Sequence, residues 1–172
     1  MISKDGFEAD DLLGTLAKKG EEAGLEVRIV TGDRDTLQLV SEKINVLYTR
    51  RGITELDRYD LAKIREEYGL EPEQLKDMKG LMGDNSDNIP GVPGIGEKTA
   101  IALLKEFSSL ENLLANIDKV SGQKRKENLT EYGEQARLSK VLGTIVVDVP
   151  LEIDFSQCRL EGLDKEKLIP FL

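Results

Sequence analysis

Seven carboxylates in this chain sit where side chains can do chemistry together. They are Glu8, Asp10 and Asp11 in FEADD, Asp33 and Asp35 in TGDRD, and Asp84 and Asp87 in GDNSDN. Each group falls in a loop or at the end of an element, where short acidic side chains from distant parts of a chain can converge. Crowded like charges either raise some pKa values or recruit cations. Hard divalent ions with oxygen ligands, Mg2+ above all, meet that need. Two such ions roughly 3.5–4 Å apart can clamp the attacking and leaving oxygens of a phosphodiester. Straight after the third acidic group comes IPGVPGIGEKTA, with Pro90, Gly91, Pro93, Gly94 and Gly96 ahead of a segment that opens with Lys98 and Thr99. Glycines permit a tight turn and a close approach to bare backbone. Free amides at the start of the next helix, with its positive dipole end, seat an anion such as a phosphate.

These groups need elements to position them. Residues 7–23 place Ala9, Leu12, Leu13, Leu16, Ala17 and Ala23 at helical spacing, with the first acids at the helix start. Within a regular helix Glu8 and Asp10 diverge by about 200°. Both serve one pocket only if Glu8 lies at or just before the cap, with Asp11 in direct or water-mediated support. LEVRIV, residues 25–30, reads as a short buried strand, so Asp33 and Asp35 follow a strand's carboxyl end, where α/β sheets hold ligands. A helical turn is expected at 37–40 and a second strand at 44–48. Further helices are expected at 61–68, 73–82 behind Pro72, 98–107, 110–117 and 125–142. Beyond Pro150 the pattern is weak. The two strands alone make a very small parallel sheet, so the reading expects sheet strands to be missing at the N-terminus.

Composition narrows the chemistry. The 172 residues suit one domain with a small appendage. A formal net charge of −9 argues against a general nucleic-acid coat or an anionic membrane surface, although local basic groups and bound metal can offset it. The chain has no histidine and one cysteine, Cys158, which removes histidine-based mechanisms, disulfides and thiolate zinc clusters. With no signal peptide or membrane run in view, the expectation is a cytoplasmic α/β protein, monomeric and without membrane contact.

Three other motifs compete for these residues. GVPGIGEKT nearly spells a nucleotide-binding P-loop, but Gly91 to Lys98 is one residue too long and no strand precedes it. DNSDN starts like a calcium loop, yet Ile89 and Ile95 replace its glycine and its final acid. A strand followed by Asp33, Asp35 and Thr36 is similar to the nucleophile motif of haloacid-dehalogenase-like phosphatases, with Asp33 as nucleophile. That alternative leaves two acidic groups unexplained. Taken singly, each acidic group is an ordinary turn or helix-start feature.

FEADD, TGDRD, GLMGDNSDNIPGVPGIGEKTA and the helices after it together resemble the 5′-nuclease family: the domain at the front of bacterial DNA polymerase I, phage 5′-exonucleases and flap endonucleases. The resemblance covers almost the whole chain. It implies a PIN-like (resolvase-like) α/β core with a parallel sheet, truncated, over residues 1–70. A helical subdomain of helix-hairpin-helix type follows over 71–172, its module running from Leu75 to Leu104. The implied activity is 5′-3′ exonuclease and 5′-flap endonuclease cleavage of DNA, independent of sequence, at flaps, nicks or gaps. By the motif match, Glu8, Asp10, Asp33 and Asp35 carry catalysis. Glu8 and Asp10, with Asp11 adjacent, stand near a first Mg2+ or Mn2+ ion, and Asp33, Asp35, Asp84 and Asp87 hold a second. Gly91, Gly94, Ile95, Gly96, Lys98 and Thr99 bind the duplex backbone, with K+ on loop carbonyls. Lys105, Lys124, Arg125 and Lys126 are candidates to extend that track. The family pattern also has an N-terminal half with further strands, two more metal-binding aspartates and a basic arch, and polymerase domains can follow. The reading therefore expects a fragment with Met1 as an added start, weak or lost catalysis, and retained duplex binding. A non-catalytic DNA-docking module is the remaining alternative.

Overall fold

The computed structural model describes residues 2–51 and 55–159. Met1, and residues 160–172 of the second expected segment, lie outside them. Helix α1 (Ala9–Glu22) opens the fold and lies against strand β1 (Val27–Thr31). The contact is close at Gly20, where a Cβ would come within 3.0 Å of Val27. A 3-10 helix (Arg34–Leu39) leads to β2 (Ile44–Arg51), which pairs parallel to β1 with Ile29 opposite Val46.

The sheet has a third strand that the sequence pattern did not reveal. β3 (Glu55–Tyr59) pairs antiparallel to β2, giving the order β1-β2-β3. Its sequence, ELDRY, buries fully only Tyr59, so it lacks the apolar run or clean alternation that marks a strand. Edge position explains why so polar a segment is tolerated. β2 also runs three residues past its expected end at Tyr48, because β3 supplies the partner that extends it.

Helices α2 (Leu61–Glu67), α3 (Gln74–Met82), α4 (Glu97–Phe107), α5 (Leu110–Ala115) and α6 (Gln123–Leu142) follow. The last is kinked at Tyr132, next to Gly133. One apolar cluster runs from Ala17, Ile29 and Val46 through Leu81 and Leu104 to Leu129 and Ala136. The sheet and the helical half therefore share a core, and Leu70, between α2 and α3, is buried in it. α3 and α6 touch backbone to backbone at Gly80, where a Cβ would stand 2.9 Å from the Ala136 carbonyl oxygen. Beside that contact the buried Asp77 carboxylate pairs with the Lys140 ammonium at 2.5 Å. These contacts hold the end of α3, and the acidic loop after it, against the rest of the molecule.

Candidate functional site

The first acids are placed by a helix cap. Glu8 is the N-cap of α1 with extended backbone (φ −81°, ψ 163°), which is the condition for its side chain to work with that of Asp10. The Asp11 carboxylate accepts the Glu8 backbone N–H at 3.1 Å, closing a reciprocal capping box. Its other oxygen accepts the Val146 N–H at 2.9 Å. Asp11 thus ties the start of α1 to the segment after α6, and Glu8, Asp10 and Asp11 together line the pocket.

The second group is placed by the 3-10 turn. Asp33 caps it, accepting the Asp35 N–H at 2.8 Å, and its own N–H donates to the Thr31 hydroxyl at 3.0 Å. A single side chain then locks this turn to the segment after α6. Gln38 donates to the Gly143 carbonyl at 2.9 Å and accepts the Ile145 N–H at 3.1 Å.

The third group sits in a loop closed on itself. Asp84 and Ile89 exchange backbone hydrogen bonds at 2.8 and 2.7 Å. The Ser86 hydroxyl and amide donate to Asp84 Oδ1, and the Lys79 ammonium stands 3.1 Å from its Oδ2. Ser86 first, with Lys79 adding, holds the Asp84 carboxyl down at about 2.

These groups meet. Glu8, Asp10, Asp11, Asp33, Asp35 and Asp87 line one cavity of about 610 Å³, with Lys79 the single cation among its lining residues. Oxygens of Asp35, Asp84 and Asp87 lie within 4.8 Å of one another. Burial, then the charges of Asp33, Asp35, Glu8 and Asp11, pushes the Asp10 carboxyl upward. Burial also raises Asp35, against the pull of Lys79. A pocket with this excess of negative charge and only hard oxygen donors fits divalent cations of the Mg2+ class.

The sequence reading missed Lys79. It is buried on the last turn of α3 and reaches Asp35, Asp84 (3.1 Å) and Asp87 (3.0 Å) at once. Its signal was its place immediately before GLMGD, five residues ahead of Asp84. Read alone it looks like an ordinary basic residue near a helix C-terminus.

The hairpin residues divide into two sets. Gly91 faces inward at φ +60°, and a Cβ there would lie 2.3 Å from the Gly83 nitrogen. α6 grips it at both ends: its N–H donates to the Ser139 hydroxyl at 3.1 Å and its carbonyl accepts Gln135 at 2.6 Å. Ile95 is 4% exposed in the core, with its N–H given to the Val92 carbonyl. Neither amide is therefore free for an outside phosphate. Gly94, Gly96 and Lys98 are exposed and Thr99 is half-buried. Among the described residues no backbone acceptor pairs with the amides of Gly94, Gly96, Glu97 or Lys98. The carbonyls of Gly91, Val92 and Pro93 each already accept one hydrogen bond, from Gln135, Ile95 and Asn128. Ile89 lines the acidic cavity and Gly91 is two residues further on, so pocket and hairpin are joined by a short, clamped stretch.

Comparison with known proteins places this arrangement. Residues 70–166 match the family model described as 5′-3′ exonuclease, C-terminal SAM fold, and residues 1–69 match the 5′-3′ exonuclease N-terminal resolvase-like domain. The chain belongs to the 5′-3′ exonuclease family. It is 54% identical to DNA polymerase I of Bacillus subtilis over 95% of this chain and 18% of that protein. It is 49% identical to the thermostable DNA polymerase I of Thermus thermophilus over 97% of this chain and 19% of that protein. The chain therefore spans about a fifth of the length of the curated relatives it matches. Among solved structures, bacteriophage T5 5′-exonuclease with bound divalent metal ions (zinc) superimposes with a TM-score of 0.74 at 26% identity, covering 84% of this chain and 52% of that one. The T5 flap endonuclease pseudo-enzyme-product complex with DNA and metal ions gives a TM-score of 0.73 at 25% identity over 85% and 52%. Membership in the 5′-3′ exonuclease family agrees with the α/β core and helical half described above. Among the described residues no helix is long and apolar enough to cross a membrane.

Proposed function

We propose that this chain carries the metal pocket and the duplex-binding hairpin of a 5′-nuclease that hydrolyses DNA phosphodiesters at 5′ ends, as exonuclease and as flap endonuclease. One observation carries the reading: acids separated by up to 79 positions, from Glu8 to Asp87, line a single cavity beside a clamped hairpin. Glu8 and Asp10 would hold one ion of Mg2+ or Mn2+, and Asp33, Asp35, Asp84 and Asp87 the other, with Asp11 positioning the α1 start. When bound, such ions supply charge neutralisation and a water of lowered pKa.

The chain's own residues then do the rest. Gly94, Gly96, Lys98 and Thr99 offer amides and charge to the phosphate backbone without reading bases. Lys105, Lys124, Arg125 and Lys126 extend the track, and K+ would sit on hairpin carbonyls. The partners are 5′-flap, nicked or gapped duplex DNA, and the polymerase domains that the full-length relatives' names imply. A cytoplasmic setting, with DNA and Mg2+ at hand, suits this chemistry.

The test uses a labelled 5′-flap duplex and p-nitrophenyl phosphate, each with Mg2+ or EDTA. Mg2+-dependent cleavage of the DNA alone supports the nuclease, and Asp84→Ala should abolish it while leaving duplex retention within about twofold, because the two sites are separate. Retarded but uncut DNA assigns a docking module. Hydrolysis of the small ester alone assigns a phosphatase built on Asp33 and overturns the nuclease.

A further inference from the structure

The Lys79 ammonium occupies the place where the second acidic group would take a cation. Its side chain is 9% exposed and its three donors meet three carboxylates: those of Asp35, of Asp84 at 3.1 Å and of Asp87 at 3.0 Å. The aliphatic stem packs closely along Gly143, where a Cβ would stand 2.7 Å from it. Without this ammonium, three carboxylates whose oxygens lie within 4.8 Å of one another would repel. With it, the oxygens that a divalent ion must approach to about 2.0–2.1 Å are already engaged. Lys79, Asp35 and Asp84 also line a second cavity of about 200 Å³, together with Arg34, Tyr68 and Glu97. That cavity gives the ammonium room to leave the three carboxylates by changing rotamer, with the Glu97 carboxylate among the lining.

We propose that Lys79 is an internal counter-cation: it holds Asp35, Asp84 and Asp87 assembled in the ion-free protein, and it swings away when a divalent ion enters. This rests on the metal-pocket reading above. Lys79 is on this view a positioning residue that lowers the affinity of the pocket for its ion. A residue that merely supported the fold would do the opposite, since its loss would disorder the ligands.

The experiment titrates Mn2+ into wild type, Lys79→Met, Lys79→Arg and Asp84→Ala, reading free ion by electron paramagnetic resonance and folding by circular dichroism. Lys79→Met should melt earlier than wild type without ion, yet bind Mn2+ at least about tenfold more tightly, the effect of removing one nearby positive charge. Lys79→Arg should not gain affinity. Equal or weaker binding by folded Lys79→Met overturns the inference. If Lys79→Met does not fold, wild type decides. Acetylation of Lys79, followed by mass spectrometry, should quicken several-fold when Mn2+ is added while that of exposed Lys98 is unchanged. Ion binding without that change overturns the counter-cation. Failure of wild type to bind Mn2+, or binding untouched by Asp84→Ala, overturns the metal pocket itself and the inference with it.

Discussion

The acidic pocket and the hairpin loop are neighbours built on opposite plans. The pocket is made of side chains brought from three distant stretches, and its character is an excess of negative charge that burial intensifies. The hairpin is made of backbone from one continuous stretch, and its character is a set of amides left over at the start of α4. A site of side chains depends on tertiary convergence. A site of amides depends on local dihedrals, and on whatever keeps the loop from using its own donors. The two meet where Gly83 crosses Gly91.

The largest effect should come from breaking that crossing. Gly91→Ala puts a Cβ into the Gly83 backbone at a positive φ, so a loss of roughly 3 kcal/mol or more is expected. That corresponds to a Tm lower by about 6–12 °C for a chain of this size. Gly96→Ala, with open space around it, is the control and should melt almost as wild type does. Equal melting of the two variants would remove the close crossing from the account.

Separating the regions gives the next effects. Asp35→Asn should weaken Mn2+ binding by at least about tenfold, with duplex retention unchanged. Lys98→Ala should do the reverse: ion binding is kept, while retention on duplex falls and its salt slope drops by about one. A shared loss in both assays, from either variant, would mean that the pocket and hairpin act as one surface.

The smallest effect sharpens the electrostatics. The Asp84 carboxyl is held at about 2, below its ordinary 3.8, so its contribution to stability is present above the ordinary value and is lost as pH falls through about 2. Ser86→Ala removes the leading cause, so this loss should move to higher pH. Carboxyl carbon NMR shifts of Asp84 would follow it directly. An unmoved titration would shift the credit to Lys79.

Much of this was readable from residue order. The cap at Glu8 and the starts of α3, after Pro72, and of α4 follow local rules to within a residue, whereas the helical turn expected at 37–40 begins three residues earlier, at Arg34, because Asp33 caps it. The polar edge strand β3 was not readable, because its partner β2 rather than its own pattern makes it a strand. Nor was the sorting of the hairpin. Gly91 and Ile95 look like their neighbours in sequence, and only Ser139 and Gln135 on α6, together with the core around Ile95, turn them inward.

Residue order by itself determined which groups could bind cations and which stretch could present amides, since both depend on residue type and short-range geometry. Tertiary structure alone decided that acids from three stretches share one cavity, that Asp11 is committed to the Glu8 and Val146 amides, and that Lys79 stands among three carboxylates. The physical reason is range. Propensity, capping and turn chemistry act over a few residues, whereas the pairing of Lys79 with Asp35 spans 44 positions and exists only because helix α3 and the turn after β1 pack on one core.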